Sequence, residues 1–276
     1  FTDYVIDRHY PQLTAADRPY LDFFDAVMQS SIEMVVDWLR VGFVHGVMNT
    51  DNMSIDGETF DYGPCAFINY YDEDAVFSSI DKHGRYAFGN QRPILRWNLE
   101  RLAEALQPLC TRTALTYDEL ESKLDEFDDR FDAQYYTMMR KKLGITSDDE
   151  EALVDEFLEW LRKSNTDYTN TFLELETPGT FDDPAFATAE FEQLREKLAA
   201  VGLDEESMQE ANPRYIPRNY LVEEALDEYL ETGTLSTFER LLNVLENPYI
   251  SKDMGSQFQQ PPPREFDTEY TTYCNT

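Results

Sequence analysis

The sequence predicts a mainly α-helical protein with one short β-hairpin. Apolar residues recur at steps of three and four along most of the 276-residue chain, which is the spacing of helices that bury one face. The stretch 42–68 departs from this spacing, and its Asp56-Gly57 pair is typical of a tight turn between two short strands. From Tyr249 onward the helical pattern stops, and three consecutive prolines at 261–263 favour an extended tail.

The longest predicted helix begins at Pro19 and ends at Arg40. A proline is well tolerated in a first helical turn, and the apolar positions that follow are Phe23, Phe24, Val27, Ile32, Val35, Val36 and Leu39. Residues 69–90 are expected to be irregular, because Gly84 and Gly89 interrupt any regular pattern. Further helices are predicted over 93–107, 116–143, 148–164, 184–200, 218–232 and 236–246. The three tryptophans, Trp38, Trp97 and Trp160, fall on helical segments and are expected in the core.

The charge balance is strongly acidic. The chain has 55 acidic and 23 basic residues, a net charge of −32, which opposes binding to nucleic acid or to an anionic membrane. The acidic residues are spread along the chain, a distribution typical of adaptation to high salt, where screening weakens self-repulsion. An acidic partner-binding surface is the alternative. We expect a saline habitat.

The sequence shows no run of 18 apolar residues and no start typical of a secretory signal. Its three cysteines, Cys65, Cys110 and Cys274, are too few for a secreted disulfide framework. We therefore expect a monomeric cytoplasmic protein in a bacterium, or a mitochondrial one in a eukaryote.

Candidate metal ligands lie in the stretch 42–67, GFVHGVMNTDNMSIDGETFDYGPCAF. Protein kinases hold ATP-bound magnesium with an Asn at the end of the catalytic loop and with the Asp of a D-F-G motif. Here Asn52 and Asp61 lie nine residues apart, on either side of the predicted turn, so both side chains could reach one ion. Oxygen ligands of this kind suit Mg²⁺ or Mn²⁺. The alternative for these residues, and for Asp51, is an ordinary turn role.

The same stretch departs from the kinase pattern. A kinase loop continues H-R-D, but here His45 is followed by Gly46 and Val47, and an Asp reappears only at Asp51. HGVMNTDNMSI followed by DYGP resembles the selenoprotein O family, also called the YdiU family, of kinase-like protein adenylyltransferases. The resemblance continues in DRHYPQL (7–13), GRYAFGNQRPILRWNLERLAEAL (84–106), MRKKLGI (139–145), DYTNTF (167–172), NPRYIPRNYL (212–221) and RLLNVLENPY (240–249).

This resemblance implies the C-terminal lobe of a protein-kinase-like fold plus a helical C-terminal extension. The lobe would cover 1–110 with its catalytic and metal loop at 42–67, the extension 111–248 and the tail 249–276. Neither a glycine-rich loop nor a V-A-I-K-like strand occurs in the sequence. We therefore expect the C-terminal portion of a longer protein that lacks the N-terminal nucleotide-binding lobe and is inactive by itself.

The resemblance also implies the chemistry. AMP would pass from ATP to Ser, Thr or Tyr hydroxyls of protein substrates, with Asp51 orienting or accepting the hydroxyl proton. Asn52 and Asp61 would hold Mg²⁺ or Mn²⁺, and Asp61 would thereby contact ATP. His45 is expected to brace the loop. Two other classes stay open, a phosphotransferase with the same ligands and a non-catalytic interaction module.

Two arginines and two cysteines are further candidates. Arg85 and Arg92 could contact phosphate or an acidic substrate, with structural ion pairs as the alternative. Cys274, third from the end, matches the position that holds selenocysteine or cysteine in the family. The resemblance implies a partner cysteine sixteen residues after Asp61, where this chain has Phe77. Cys65 offers a substitute partner for a disulfide that gates the site. The alternative is a buried Cys65 and a free tail thiol.

Overall fold

The computed structural model describes residues 1–252 and 255–273 and confirms a mainly α-helical chain with one small antiparallel sheet. The strands are β1 (Phe43–Val44) and β2 (Ala66–Phe67). The helices are α1 (Thr2–His9), α2 (Pro19–Val41), α3 (Gln91–Leu106), α4 (Tyr117–Asp125), α5 (Phe127–Leu143), α6 (Glu151–Ser164), α7 (Tyr168–Glu176), α8 (Ala189–Ala200), α9 (Glu205–Ala211), α10 (Asn219–Thr232), α11 (Ser236–Leu245) and α12 (Arg264–Glu269). None of the helices in the described ranges is long and apolar enough to cross a membrane.

Helix α2 is the central element of the fold. Pro19 begins it as predicted, and it ends at Val41, before Gly42, whose φ of +77° is readily adopted only by glycine. Its apolar face is fully buried and packs against α3, α4 and α5. One large hydrophobic core contains residues from α1 through α8, and a second, smaller cluster joins α10 and α11. Strand β1 therefore follows directly from the end of a helix that lies in the core.

Several helices differ from their predicted bounds. The predicted helix 116–143 is divided at Glu126 into α4 and α5, because α4 packs against α3 whereas α5 continues along α2 toward α6 and α9. The predicted helix 184–200 is interrupted at Thr188, whose side chain caps α8 by accepting a hydrogen bond from the Phe191 N–H. Helices α1, α7, α9 and α12 are short and were not predicted.

The hairpin was predicted with the wrong strands. Phe43 pairs with Phe67 and Val44 with Ala66, so the connection is the long segment 45–65, which we call the site loop. A turn does form at Gly57, whose N–H donates to the Ser54 carbonyl. Its flanks are not strands, because side chains of other elements bind them. The Tyr10 hydroxyl donates to the Ile55 carbonyl at 2.5 Å.

The tail is partly helical and is docked on the body of the protein, in contrast to the extended segment predicted. It contains α12, and Phe258 is buried in the second cluster. Near its end, the Thr272 N–H donates to the Phe77 carbonyl at 2.8 Å, and the Ser79 N–H donates to the Thr272 carbonyl at 2.9 Å. The tail thus returns to the segment that follows the site loop.

Candidate active site

His45 links the two sides of the site loop. It is fully buried between the rings of Trp38 and Phe43. Its Nε2 donates to the Phe60 carbonyl at 2.9 Å, while Nδ1 accepts from the Val47 N–H at 3.4 Å. Burial lowers the pKa of His45, and its contacts with the Phe60 carbonyl and the Asp61 charge oppose that shift only partly. A neutral imidazole therefore links the two sides of the loop, which agrees with the bracing role expected for it.

Gly46 allows the two ends of the site loop to meet. Its φ is +83°, and a Cβ at this position would lie 2.7 Å from the Pro64 carbonyl oxygen. That oxygen also accepts a hydrogen bond from the Thr272 hydroxyl at 2.7 Å. The glycine after His45 is thus required by the backbone, and the docked tail contacts the loop at the same point.

Helix α3 holds the first part of the site loop through two buried amides that the sequence did not reveal. The Gln91 side chain donates to the Phe43 carbonyl at 3.0 Å and accepts from the His45 N–H at 3.1 Å. The Asn98 side chain donates to the Met48 carbonyl at 3.0 Å. Both residues lie in the segment 84–106, and polar residues on the buried face of that helix were the available signal.

Asp51 and Asn52 lie in a single 3₁₀ turn, Thr50–Asn52, at the surface. The Asn52 Nδ2 donates to the Val47 carbonyl at 3.0 Å, which fixes the amide and directs the other end of the group away from that carbonyl. Within residues 1–252 and 255–273, neither the Asn52 Oδ1 nor the exposed Asp51 carboxylate has a hydrogen-bond or ion-pair partner. Both oxygen donors are available to a ligand.

Asp61 directly follows Phe60, the residue whose carbonyl His45 holds. It is exposed and has a φ of +56°, a conformation that non-glycine residues adopt rarely and that is found disproportionately at functional sites. Its carboxylate has no hydrogen-bond or ion-pair partner among the described residues. The hydrogen bonds from Phe60 through His45 and Val47 to Asn52 therefore connect Asp61 with the other predicted ligand.

Two of these donors have the chemistry of ligands for a hard divalent cation. The predicted ligands Asn52 and Asp61 are one amide and one carboxylate, both oxygen ligands, as Mg²⁺ and Mn²⁺ prefer. The described residues contain no group of three or more His, Cys, Asp or Glu side chains arranged to hold a metal ion. The remaining ligands would have to be water and nucleotide oxygens, which is how Mg²⁺ is usually bound.

The two candidate arginines have different surroundings. Arg92 pairs with Asp128 and with Asp132, which favours the structural ion-pair alternative. The Arg85 guanidinium stacks on the Trp97 ring at 4.7 Å from its centroid and makes no ion pair in the described part of the chain. Trp97 and Trp160 are only half-buried, in contrast to their predicted place in the core, whereas Trp38 is buried.

Cys65 is half-buried and lines an apolar cavity of 450 Å³ together with Trp38, Tyr62 and Phe67. Burial raises the pKa of its thiol to about 11, so the thiol is protonated at neutral pH. Cys274 lies outside the described residues, and the disulfide between the two stays a prediction. Thr272, two residues before Cys274, contacts Pro64, the residue before Cys65.

Comparison with known proteins gives consistent matches over nearly the whole chain. The family model described as "Protein adenylyltransferase SelO" matches residues 1–246. Proteins named "Protein nucleotidyltransferase YdiU" are 44% identical in Cereibacter sphaeroides (strain KD131), 39% in Pelagibacter ubique and 41% in Alkaliphilus metalliredigens, each over 285 residues. The matches cover 99% of this chain but only 58–59% of those relatives.

Proposed function

The chain belongs to the SelO family of protein adenylyltransferases, and on this basis we propose that it is the metal-binding and catalytic portion of an enzyme that transfers AMP from ATP to protein hydroxyl groups. The observation that carries the proposal is the set of unengaged oxygens on Asp51, Asn52 and Asp61, placed on one loop that a buried histidine holds together. The names of the relatives support nucleotidyl transfer to protein.

Each residue has a distinct part in the proposed reaction. The hydroxyl oxygen of the protein substrate forms a bond to the α-phosphorus of ATP, the bond from that phosphorus to the bridging oxygen breaks, and pyrophosphate leaves. Asp51 accepts the hydroxyl proton or orients the hydroxyl. Asn52 and Asp61 hold Mg²⁺ or Mn²⁺, which when bound neutralises charge on the triphosphate. Asp51 and Asp61 are both exposed, as residues that meet a substrate and a nucleotide need to be.

The chain spans just under three fifths of the length of the relatives it matches. We propose that the remaining part supplies a nucleotide-binding lobe of a kinase-like fold, since no phosphate-cradling glycine loop occurs in this sequence. The 276-residue chain alone is then expected to transfer no AMP.

The test uses the full-length protein with ATP labelled at either the α- or the γ-phosphorus, in the presence of Mg²⁺ or Mn²⁺. Asp61→Ala should lower transfer of α-label to protein by about 100-fold or more, because a ligand that stabilises transition-state charge is lost. Asp227→Ala, at another exposed and unpaired aspartate within the described residues, is the matched control.

The label identifies the reaction class. Transfer of α-label supports adenylylation, whereas transfer of γ-label would identify a phosphotransferase. A wild-type protein that transfers neither label to itself or to a protein mixture would favour a non-catalytic module. Retained α-label transfer by Asp61→Ala at the wild-type rate would contradict the metal role of Asp61.

A further inference from the structure

The outer edge of β2 is bound by a side chain instead of a third strand. Asn219, the first residue of α10, accepts a hydrogen bond from the Phe67 N–H through Oδ1 at 3.0 Å. Its Nδ2 donates to the carbonyl of the same residue at 2.9 Å. A carboxamide presents the same donor and acceptor as a peptide group, so Asn219 satisfies the strand edge as a neighbouring strand would.

A buried arginine fixes the position of Asn219. Arg218 is 1% exposed, and its guanidinium donates to both carboxylate oxygens of Asp167, at 2.7 and 3.0 Å. It also donates to the Asn69 Oδ1 at 2.6 Å and to the Gln259 carbonyl at 2.9 Å. A bidentate ion pair of this geometry is specific in direction, so the start of α10 has little freedom relative to β2.

These contacts act on the strand that leads out of the site loop. Asn219 binds Phe67 and Arg218 binds Asn69, both from the side of α10. On the opposite side, the Ile68 N–H donates to the Gly42 carbonyl at 2.8 Å. An isolated two-stranded hairpin is marginally stable at best. Asp61 lies only five residues before β2, and thus its position depends on how firmly β2 is held.

We infer that Asn219 is a positioning residue for Asp61, acting through β2 on the metal affinity of the site loop. The inference rests on the proposed function in one respect, that Asp61 is a metal ligand. Side chains that orient a metal ligand through a direct hydrogen bond typically change metal affinity by about 10- to 100-fold. Asn219 acts on Asp61 through the backbone of β2, so we expect an effect at the lower end of this range.

The experiment measures Mn²⁺ binding to the full-length protein by electron paramagnetic resonance of free Mn²⁺. The site is defined as the binding that Asp61→Ala removes, which separates it from weak binding to other acidic residues. Asn219→Ala should weaken this binding about tenfold or more. Tyr220→Phe removes a hydrogen bond from the neighbouring residue to the Gln260 carbonyl and should leave it unchanged.

A measurement of the fold distinguishes positioning from a general loss of structure. Asn219→Ala should keep the wild-type far-ultraviolet circular dichroism at the temperature of the binding assay while its Asp61-dependent Mn²⁺ binding falls, whereas a general loss of structure would lower both the circular dichroism signal and the binding. Asn219→Ser, which keeps a small polar residue at the start of α10, replaces Asn219→Ala if that variant does not fold.

Mn²⁺ binding that depends on Asp61 but not on Asn219 would overturn this inference alone. Binding that is unchanged in Asp61→Ala would overturn the metal assignment and this inference with it.

Discussion

Gly46→Ala is expected to destabilise the protein by separating the two ends of the site loop. The new Cβ would meet the Pro64 carbonyl oxygen at 2.7 Å and the carbonyl carbon at 3.3 Å. Both contacts are with backbone, so no side-chain rotation can relieve them. Neither side of this contact can move easily. The Pro64 oxygen accepts the hydrogen bond from Thr272, and the residue before Gly46 is the fully buried His45.

The expected loss has two parts. An alanine at a φ of +83° costs about 1–2 kcal/mol relative to glycine. A contact of 2.7 Å forces a backbone shift, for which overpacked sites suggest a further 1–3 kcal/mol or so. The free energy of unfolding should therefore fall by roughly 2–5 kcal/mol. For a domain of this size, that corresponds to a melting temperature lower by about 5–15 °C.

Gly179→Ala is the matched control, because Gly179 has a φ of +84° and a Cβ there would meet nothing within 4 Å. The free energy of unfolding should fall by only about 1–2 kcal/mol in Gly179→Ala. Alanine affects the unfolded chain equally in both variants, so that effect cancels in the comparison. Urea unfolding followed by circular dichroism measures the difference. Hydrogen exchange should also quicken at the Thr272 N–H in Gly46→Ala only. Equal losses in the two variants would refute the close-contact argument.

Three further outcomes are expected. Because burial lowers the pKa of His45, the unfolded chain binds the proton more readily, and the free energy of unfolding should fall as pH drops below about 6.5. His45→Gln should show a shallower fall than wild type in urea titrations between pH 7.5 and 5, and identical slopes would contradict the assignment. With a thiol pKa of about 11, Cys65 should react with iodoacetamide slowly at pH 7.5 and roughly tenfold faster for each pH unit up to about pH 10. Peptide mapping measures the rate, and a plateau below pH 9 would argue against burial raising the pKa of this thiol. At a net charge of −32, the melting temperature should rise between 0.1 and 2 M KCl, so a flat or falling curve would count against repulsion as the dominant effect.

The helical part of the fold was largely predictable, since α2, α3 and α6 each bury one regular apolar face. The division between α4 and α5 was not, because apolar spacing continues through Glu126 and only the choice of packing partners separates them. The hairpin was misplaced for a related reason. Asp56-Gly57 indicates a turn correctly, but nothing local indicates that its flanks bind side chains and not each other.

At the candidate site, the residues that a ligand would meet were easier to predict than those that support them. Asp51, Asn52 and Asp61 could be selected from their order along one short segment. Gln91 lies on the apolar face of its helix, which indicates burial, but neither its partner nor that of Asn219 could be predicted, because each bonds to backbone groups more than forty residues away. A distant partner leaves no local pattern in the sequence, and only the folded chain identifies it.

The contacts around Arg218 also determine when the site can form. They join residue 69 to positions 167, 218 and 259, and Asn219 reaches back 152 residues to Phe67. Closing such long loops is slow compared with helix formation, so during synthesis α2 and the site loop are complete long before their outer support exists. Since domains fold as units while the chain emerges, a nascent chain that has not yet reached Gln259 would carry the predicted metal ligands Asn52 and Asp61 without all the contacts that hold β2. Under the proposed function, a ribosome-bound intermediate is therefore expected to bind its metal ion weakly and to transfer little AMP.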